Sequence, residues 1–421
     1  MHVAIVTVGP VLCNFWLHLL TEKLRNFRYN RSLPMIAITA ATLFTPVERL
    51  EHPLLLIDDG IIREITTRGE RSLPAGTEFI NLADAILVPG YIDLHIHGAA
   101  GHDVMDSDPD ALPDVERLLA RHGVTAYLPT TVTAPLDDTL AALDRLANAI
   151  ELAKKAGPRP GRARPIGIHL EGPFLSHNKR GVHPVESLLR PSVNVFERMW
   201  QAGRGHVSMM TIAPELEGAR ELITLATQRG VCVSLGHSDA DLAAAHAGVE
   251  AGARHATHTF NAMRSLDHRN PGILGCVLAD KRLTADIIAD GIHVHPSMIQ
   301  LFLQAKGSGR AVLITDGISA TGMPDGRYRL GDFEVEVRNG RCDMNGVLAG
   351  SVLTLDRAVR NIMEFAEWPL DEAVRLVTQN PAKVLRQEKT RGNIAVGTQA
   401  DLVALSPAGD VIRTLVGGRS S

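Results

Sequence analysis

Tyr91-Ile92-Asp93-Leu94-His95-Ile96-His97-Gly98 alternates apolar and polar residues with a period of two. In an extended strand that spacing puts Asp93, His95 and His97 on one face. Two histidines two residues apart on a strand can converge on a single metal ion. A polar strand face with ordinary hydrogen bonds explains the same pattern, and taken alone the stretch favours that plainer reading.

Working outward, short β-branched runs alternate with alanine- and leucine-rich stretches. The runs include 165–170, 207–212, 231–236, 285–288 and 311–315, and the helical stretches include 114–121, 136–156, 217–229, 240–252 and 296–305. Repeated strand–helix alternation over this length predicts parallel β/α architecture, best met by a closed (β/α)8 TIM-like barrel over 88–388. The texture differs at both ends. Leu54 to Ile57, Asp58-Asp59-Gly60 and Ile61 to Ile65 read as a hairpin. Ala400 to Leu405 and Val411 to Val416 are strands around a Pro-Ala-Gly-Asp turn. The expectation is a small β-sandwich built from both ends of the chain, 35–87 and 389–421. Residues 1–34 hold an apolar run, Val3 to Leu20, with its basic residues after it rather than before. That order is wrong for a secretory signal, so 1–34 reads as an extension outside the fold.

Composition narrows the function. The chain has 421 residues, a net charge of -4 and 45% hydrophobic residues. It can bury a large core, and nothing suggests a broad basic field for nucleic acid. The four cysteines, Cys13, Cys232, Cys276 and Cys342, form no C-x-x-C pair. A disulfide framework and a cysteine metal site are both poor expectations. No stretch reads as a transmembrane helix, so the expected location is the cytoplasm.

In a barrel of this kind, function gathers at the C-terminal ends of the strands. Glu171 ends an apolar run at Ile168-His169-Leu170-Glu171-Gly172-Pro173, where an unpaired buried carboxylate is costly. His237 follows another run, with Ser238 or Asp239 placed to cap the next helix. His258 ends His255-Ala256-Thr257-His258, with His255 on the opposite parity and read as structural. Asp316 ends Val312-Leu313-Ile314-Thr315-Asp316. Each position alone has an ordinary explanation. Together, His95, His97, Glu171, His237, His258 and Asp316 form a sound ligand set for zinc or another borderline divalent ion.

Leu87 to Gly98 and Gly392 to Val403 resemble the opening and closing segments of the amidohydrolase superfamily. His169-Leu170-Glu171-Gly172-Pro173-Phe174, Gly236-His237-Ser238, Thr257 to Met263, Ala289 to His293 and Thr315-Asp316 are similar to the N-acetylglucosamine-6-phosphate deacetylase family. The resemblance spans essentially Met35 to the C-terminus. It implies Glu171, His237 and His258 as ligands of a main ion. His95 and His97 would hold a second, with Glu171 bridging the two. One or two ions per subunit are thus expected, zinc first, with iron, cobalt or manganese as alternatives. It implies Asp316 as general base and then acid, and His183 as oxyanion stabiliser. Asn261, Ala262 and His293 would bind a phosphosugar, and Arg269 would reach the phosphate across a homodimer interface. Leu348-Ala349-Gly350-Ser351 matches the segment that approaches the acetyl group. Competing readings are the galacto epimer as substrate, a cyclic-amide hydrolase, and an assembly scaffold without activity.

Overall fold

The computed structural model describes residues 34–45, 48–70, 72–331 and 333–420. Apart from Pro34, the expected extension 1–34 lies outside the described residues.

The described chain opens with β1 (Ile36–Phe44), β2 (Pro53–Asp58), β3 (Ile61–Thr67) and β4 (Glu78–Pro89), with the short strand Arg49–Glu51 between β1 and β2. The Asp58-Asp59-Gly60 turn joins β2 and β3 as an antiparallel hairpin. Asp59 and Gly60 both take positive φ, the backbone such a tight turn needs.

The barrel follows as eight strand–helix units. Its strands are β5 (Tyr91–Ile96), β6 (Val124–Thr131), β7 (Ile168–Glu171), β8 (Val207–Ile212), β9 (Cys232–Leu235), β10 (His255–Ala256), β11 (Ala285–Ile288) and β12 (Ala311–Ile314). The helices between and after them are α1 (Ala111–Arg121), α2 (Leu136–Ala156), α3 (Val193–Ala202), α4 (Ala219–Gln228), α5 (Leu242–Ala251), α6 (Gly272–Ala279), α7 (Pro296–Lys306) and α8 (Leu355–Ala366). Strands β5 to β10 pair in parallel in chain order. Strands β11 and β12 pair likewise. The backbone N–H of Ala256 donates to Thr284 O at 3.0 Å, joining β10 to β11. That of Asp316 donates to His95 O at 2.9 Å, closing the ring between β12 and β5.

The barrel strands are near-continuous apolar runs because one face meets the barrel interior and the other meets helices. Helix α2 shows the matching pattern. Leu143, Leu146, Ala147 and Ile150 recur at helical spacing and are buried, and Gly157 ends the helix at positive φ. Helix α1 starts about a turn earlier than its periodicity predicts, at Ala111. Helix α5 corrects one expectation. It begins at Leu242, and its cap is Asp241, whose side chain accepts from Ala244 N at 2.8 Å. Ser238 Oγ instead donates to Glu215, which also accepts from Asp239 N.

After β12 the chain leaves the barrel in an antiparallel insert, β13 (Gly326–Leu330), β14 (Phe333–Arg338), β15 (Arg341–Met344) and β16 (Val347–Leu348). Strands β17 (Leu402–Leu405) and β18 (Val411–Leu415) end the described chain. They join the N-terminal strands in one mixed sheet of seven strands. The order is β18-β17-β4-β1-β2-β3, with Arg49–Glu51 paired onto β1. Its separate core gathers Ile38, Leu55, Leu87 and Leu402. Strand β4 hands over to β5 through Gly90, where a Cβ would stand 2.2 Å from Thr125 Oγ1, so only glycine lets the chain pass there.

Candidate metal centre and active site

Five barrel strands deliver the polar residues to one end of the barrel. His95 comes from β5 and His97 from just after it, Glu171 from β7, His237 from just after β9, His258 from just after β10 and Asp316 from just after β12. His237, His258 and Asp316 all have positive φ, at 47, 31 and 50°. These are uncommon conformations for such residues, and they cluster where each strand turns into its loop. All six side chains are buried, as is His183 from the loop after β7.

The ligand atoms face one another. His237 Nε2 and His258 Nε2 lie 3.1 and 3.0 Å from Glu171 Oε1, and 3.0 Å from each other. His97 Nε2 is 3.2 Å from Glu171 Oε2 and 3.0 Å from His95 Nε2. Asp316 Oδ1 completes that second group, 3.4 Å from His95 and 3.2 Å from His97. A tetrahedral ion with metal–nitrogen bonds of about 2.0–2.1 Å separates its ligand atoms by roughly 3.3 Å, so both groups have the span of a coordination shell. Glu171 lies between them, one oxygen toward each.

The hydrogen bonds on the far sides of the rings support this fit. His97 Nδ1 lies 3.0 Å from Thr130 O, and His237 Nδ1 lies 2.9 Å from Lys179 O. A carbonyl can only accept, so each Nδ1 carries the proton and each Nε2 of a neutral ring presents a lone pair. At His237 burial lowers the pKa to about 4, against the pull of Glu171, so the ring stays neutral. Its lone pair then faces a carboxylate oxygen, an arrangement that a shared cation makes favourable. Burial also works against the charge of Glu171, but His95 and the Nε2–H of His183 hold its carboxyl well below the ordinary range.

His183 differs. The backbone N–H of Thr133 points at its Nδ1, 3.3 Å away, and the Thr133 hydroxyl is 2.8 Å from the same atom. An amide can only donate, so Nδ1 accepts and Nε2 carries the proton. Nε2 lies 3.4 Å from Glu171 Oε2 at the edge of the cluster. This is the tautomer of a hydrogen-bond donor, not of a ligand. Gly172 makes room for the arrangement, since a Cβ there would stand 2.0 Å from Thr133 Oγ1.

A cavity of about 520 Å³ opens over the cluster. Asn261, Ala262 and His293 line it, with Leu348 from β16 of the insert and Gly350 from the loop after it. His293 Nδ1 is held by Asp290 at 2.7 Å. Arg269 is exposed and, among the described residues, lies outside the cavity lining.

Several contributors escape a strand-end reading. Asp93 leaves the cluster and accepts from the Thr315 hydroxyl at 2.6 Å and from His95 N at 3.2 Å. Burial raises its pKa to about 6. His169 bonds to Leu94 O at 3.0 Å and Thr211 Oγ1 at 2.8 Å. Asp286 accepts from the backbone N–H of His258 and lies 2.9 Å from His255 Nε2, pinning the turn that carries His258. A lone acid inside the apolar run 285–288 was its visible signal. Nothing local marked Thr133 or the cavity-lining residues of the insert.

This fold and this buried cluster of histidines and carboxylates at the strand ends define a metal-dependent hydrolase. Residues 86–420 match the amidohydrolase family model, and the chain belongs to the amidohydrolase family. Its relatives there include deacetylases of phosphorylated amino sugars. It is 36% identical to N-acetylglucosamine-6-phosphate deacetylase of Bacillus subtilis, over 91% of this chain and 96% of that one. It is 38% identical to N-acetylgalactosamine-6-phosphate deacetylase of Escherichia coli O157:H7, over 87% and 94%. Among solved structures it is similar to N-acetyl-D-glucosamine-6-phosphate deacetylase of Mycobacterium smegmatis in complex with N-acetyl-D-glucosamine-6-phosphate. That match has a TM-score of 0.84 and 33% identity, over 92% of this chain and 99% of the other.

Proposed function

We propose that this protein hydrolyses the acetamide of N-acetylglucosamine 6-phosphate to glucosamine 6-phosphate and acetate. The observation that carries the reading is the pair of ligand groups sharing Glu171, with Asp316 and a proton-bearing His183 Nε2 beside them at the floor of one cavity. The deacetylase relatives support the substrate class.

In this reading Glu171, His237 and His258 hold the main divalent ion, zinc first among candidates. His95 and His97 hold a second with Glu171 between. The ion supplies Lewis-acid chemistry, making water a nucleophile near neutral pH and polarising a carbonyl. Asp316 takes the proton of the attacking water as general base. It then returns that proton to the departing amine. Burial works against its charge, but positive charge beside it brings its pKa to about 2, so it is the carboxylate that a base must be. His183 donates its Nε2–H to the oxygen that becomes negative as the acetamide carbonyl is attacked. Asn261, Ala262 and His293 hold the phosphosugar, and Arg269 of a second subunit completes the phosphate contact in a cytoplasmic homodimer. The catalytic unit is the barrel, 88–388, braced by the sheet strands of 35–87 and 389–421.

The test is amine release from N-acetylglucosamine 6-phosphate, N-acetylgalactosamine 6-phosphate and N-acetylglucosamine, on protein of measured metal content. Strong preference for the first is expected. Activity on none of them with metal bound overturns the substrate assignment.

A further inference from the structure

The proposed substrate carries a phosphate dianion, yet the cavity floor is built around the carboxylates Glu171 and Asp316. Neutralisation at the far end therefore matters, and Arg269 of the same chain lies outside the lining. Among the described residues, the guanidinium that does line the cavity is that of Arg341, on β15 of the insert.

Its placement follows from the insert's topology. Strand β15 pairs with β14 in a tight hairpin around Asn339-Gly340, both at positive φ. A Cβ at Gly340 would lie 3.9 Å from Ile292 Cδ1, so the hairpin end runs beside the loop that carries His293. Arg341 thus lines the same cavity as His293, the residue assigned to the phosphate. It is also loosely held. Its ion pair is with Asp343 at 3.5 Å, and its side chain is 51% exposed. Exposed pairs of this kind are weak and easily exchanged.

Resting on the proposed substrate, the geometry points to Arg341 as a second phosphate-binding residue, supplied by the same chain from the barrel insert. Its fork matches two phosphate oxygens, which a lysine or an amide matches less well. The hairpin therefore sets specificity for phosphorylated over plain amino sugars.

The experiment uses full-length, metal-loaded Arg341→Gln and Arg341→Lys. Each is assayed against N-acetylglucosamine 6-phosphate and N-acetylglucosamine, with inorganic phosphate as competitor. Arg341→Gln is expected to raise KM for the phosphorylated sugar roughly 10- to 100-fold, the range of a lost charge-assisted hydrogen bond, with a much smaller change in kcat. The preference for phosphorylated over plain substrate should fall with it. Phosphate should inhibit more weakly, and Arg341→Lys should recover part of the loss. A merely structural defect lowers activity on both sugars together, and that outcome overturns the assignment. So does a preference unchanged from wild type. A wild type with no preference for the phosphorylated sugar overturns the substrate reading and this assignment with it.

Discussion

Asp316 and His183 sit within reach of the same ligand atoms but present opposite chemistry. Asp316 is an ionised acceptor, 3.2 Å from His97 Nε2. His183 is a donor, because the Thr133 amide occupies its other nitrogen. Replacing Asp316 with Asn should lower kcat by about 10²- to 10⁴-fold, the usual contribution of a general base. Bound metal at the His237–His258 group should survive; wild-type turnover in this variant would remove Asp316 from that role. Replacing His183 with Phe should lower kcat about 10²- to 10³-fold, as for loss of one oxyanion donor. Metal content by elemental analysis should not change, and a fall would make His183 a ligand instead.

At the scale of elements, the strand-to-helix turns position the site, and helix α5 follows directly from the one that carries His237. Its cap is Asp241, three residues beyond Ser238 and two beyond Asp239, the positions that composition alone nominates. The reason is tertiary. Glu215 claims Ser238 and the amide of Asp239, and Arg264 Nε lies 3.1 Å from the Asp239 carboxylate, so Asp241 is left to meet Ala244 N. Asp241→Ala should cost about 1 kcal/mol by denaturant titration, the usual value of a lost N-cap. Asp239→Ala should cost helix α5 itself little. If the two effects were reversed, the cap assignment would be wrong.

Across the whole molecule, the ligand cluster ties together strands from β5 round to β12. A cation bound there stabilises the closed barrel by mass action. Chelation should therefore lower the thermal midpoint by several degrees and abolish turnover, with both restored by zinc. Glu171→Ala should bind little metal and respond little to the chelator; normal metal content would refute its place between the two groups. Assembly is tested separately. Arg269→Ala and Asp316→Asn subunits, each inactive or weak alone, should regain activity when mixed and allowed to exchange if Arg269 serves the partner subunit's site. Without such recovery, Arg269 acts in its own subunit or not at all.

Some of this was legible in the residues alone. Period-two alternation in Tyr91 to Gly98 predicts that His95 and His97 face the same way, because a strand offers only two faces. Repeated strand–helix alternation predicts the barrel, since each apolar run needs a helix to cover it. The strand-end positions of Glu171, His237, His258 and Asp316 follow from where the apolar runs stop. Tertiary structure alone decided the rest. Glu171 turns one oxygen to His258, 87 residues away, and the other to His97. Thr133 selects the His183 tautomer across 50 residues of sequence. Asp286 anchors the His258 backbone from the next strand, and the insert brings Arg341 to the cavity wall. These contacts depend on how the ring of strands closes and on where loops of unrelated sequence come to lie. Local periodicity reports which way a side chain points, not which distant atom it will meet.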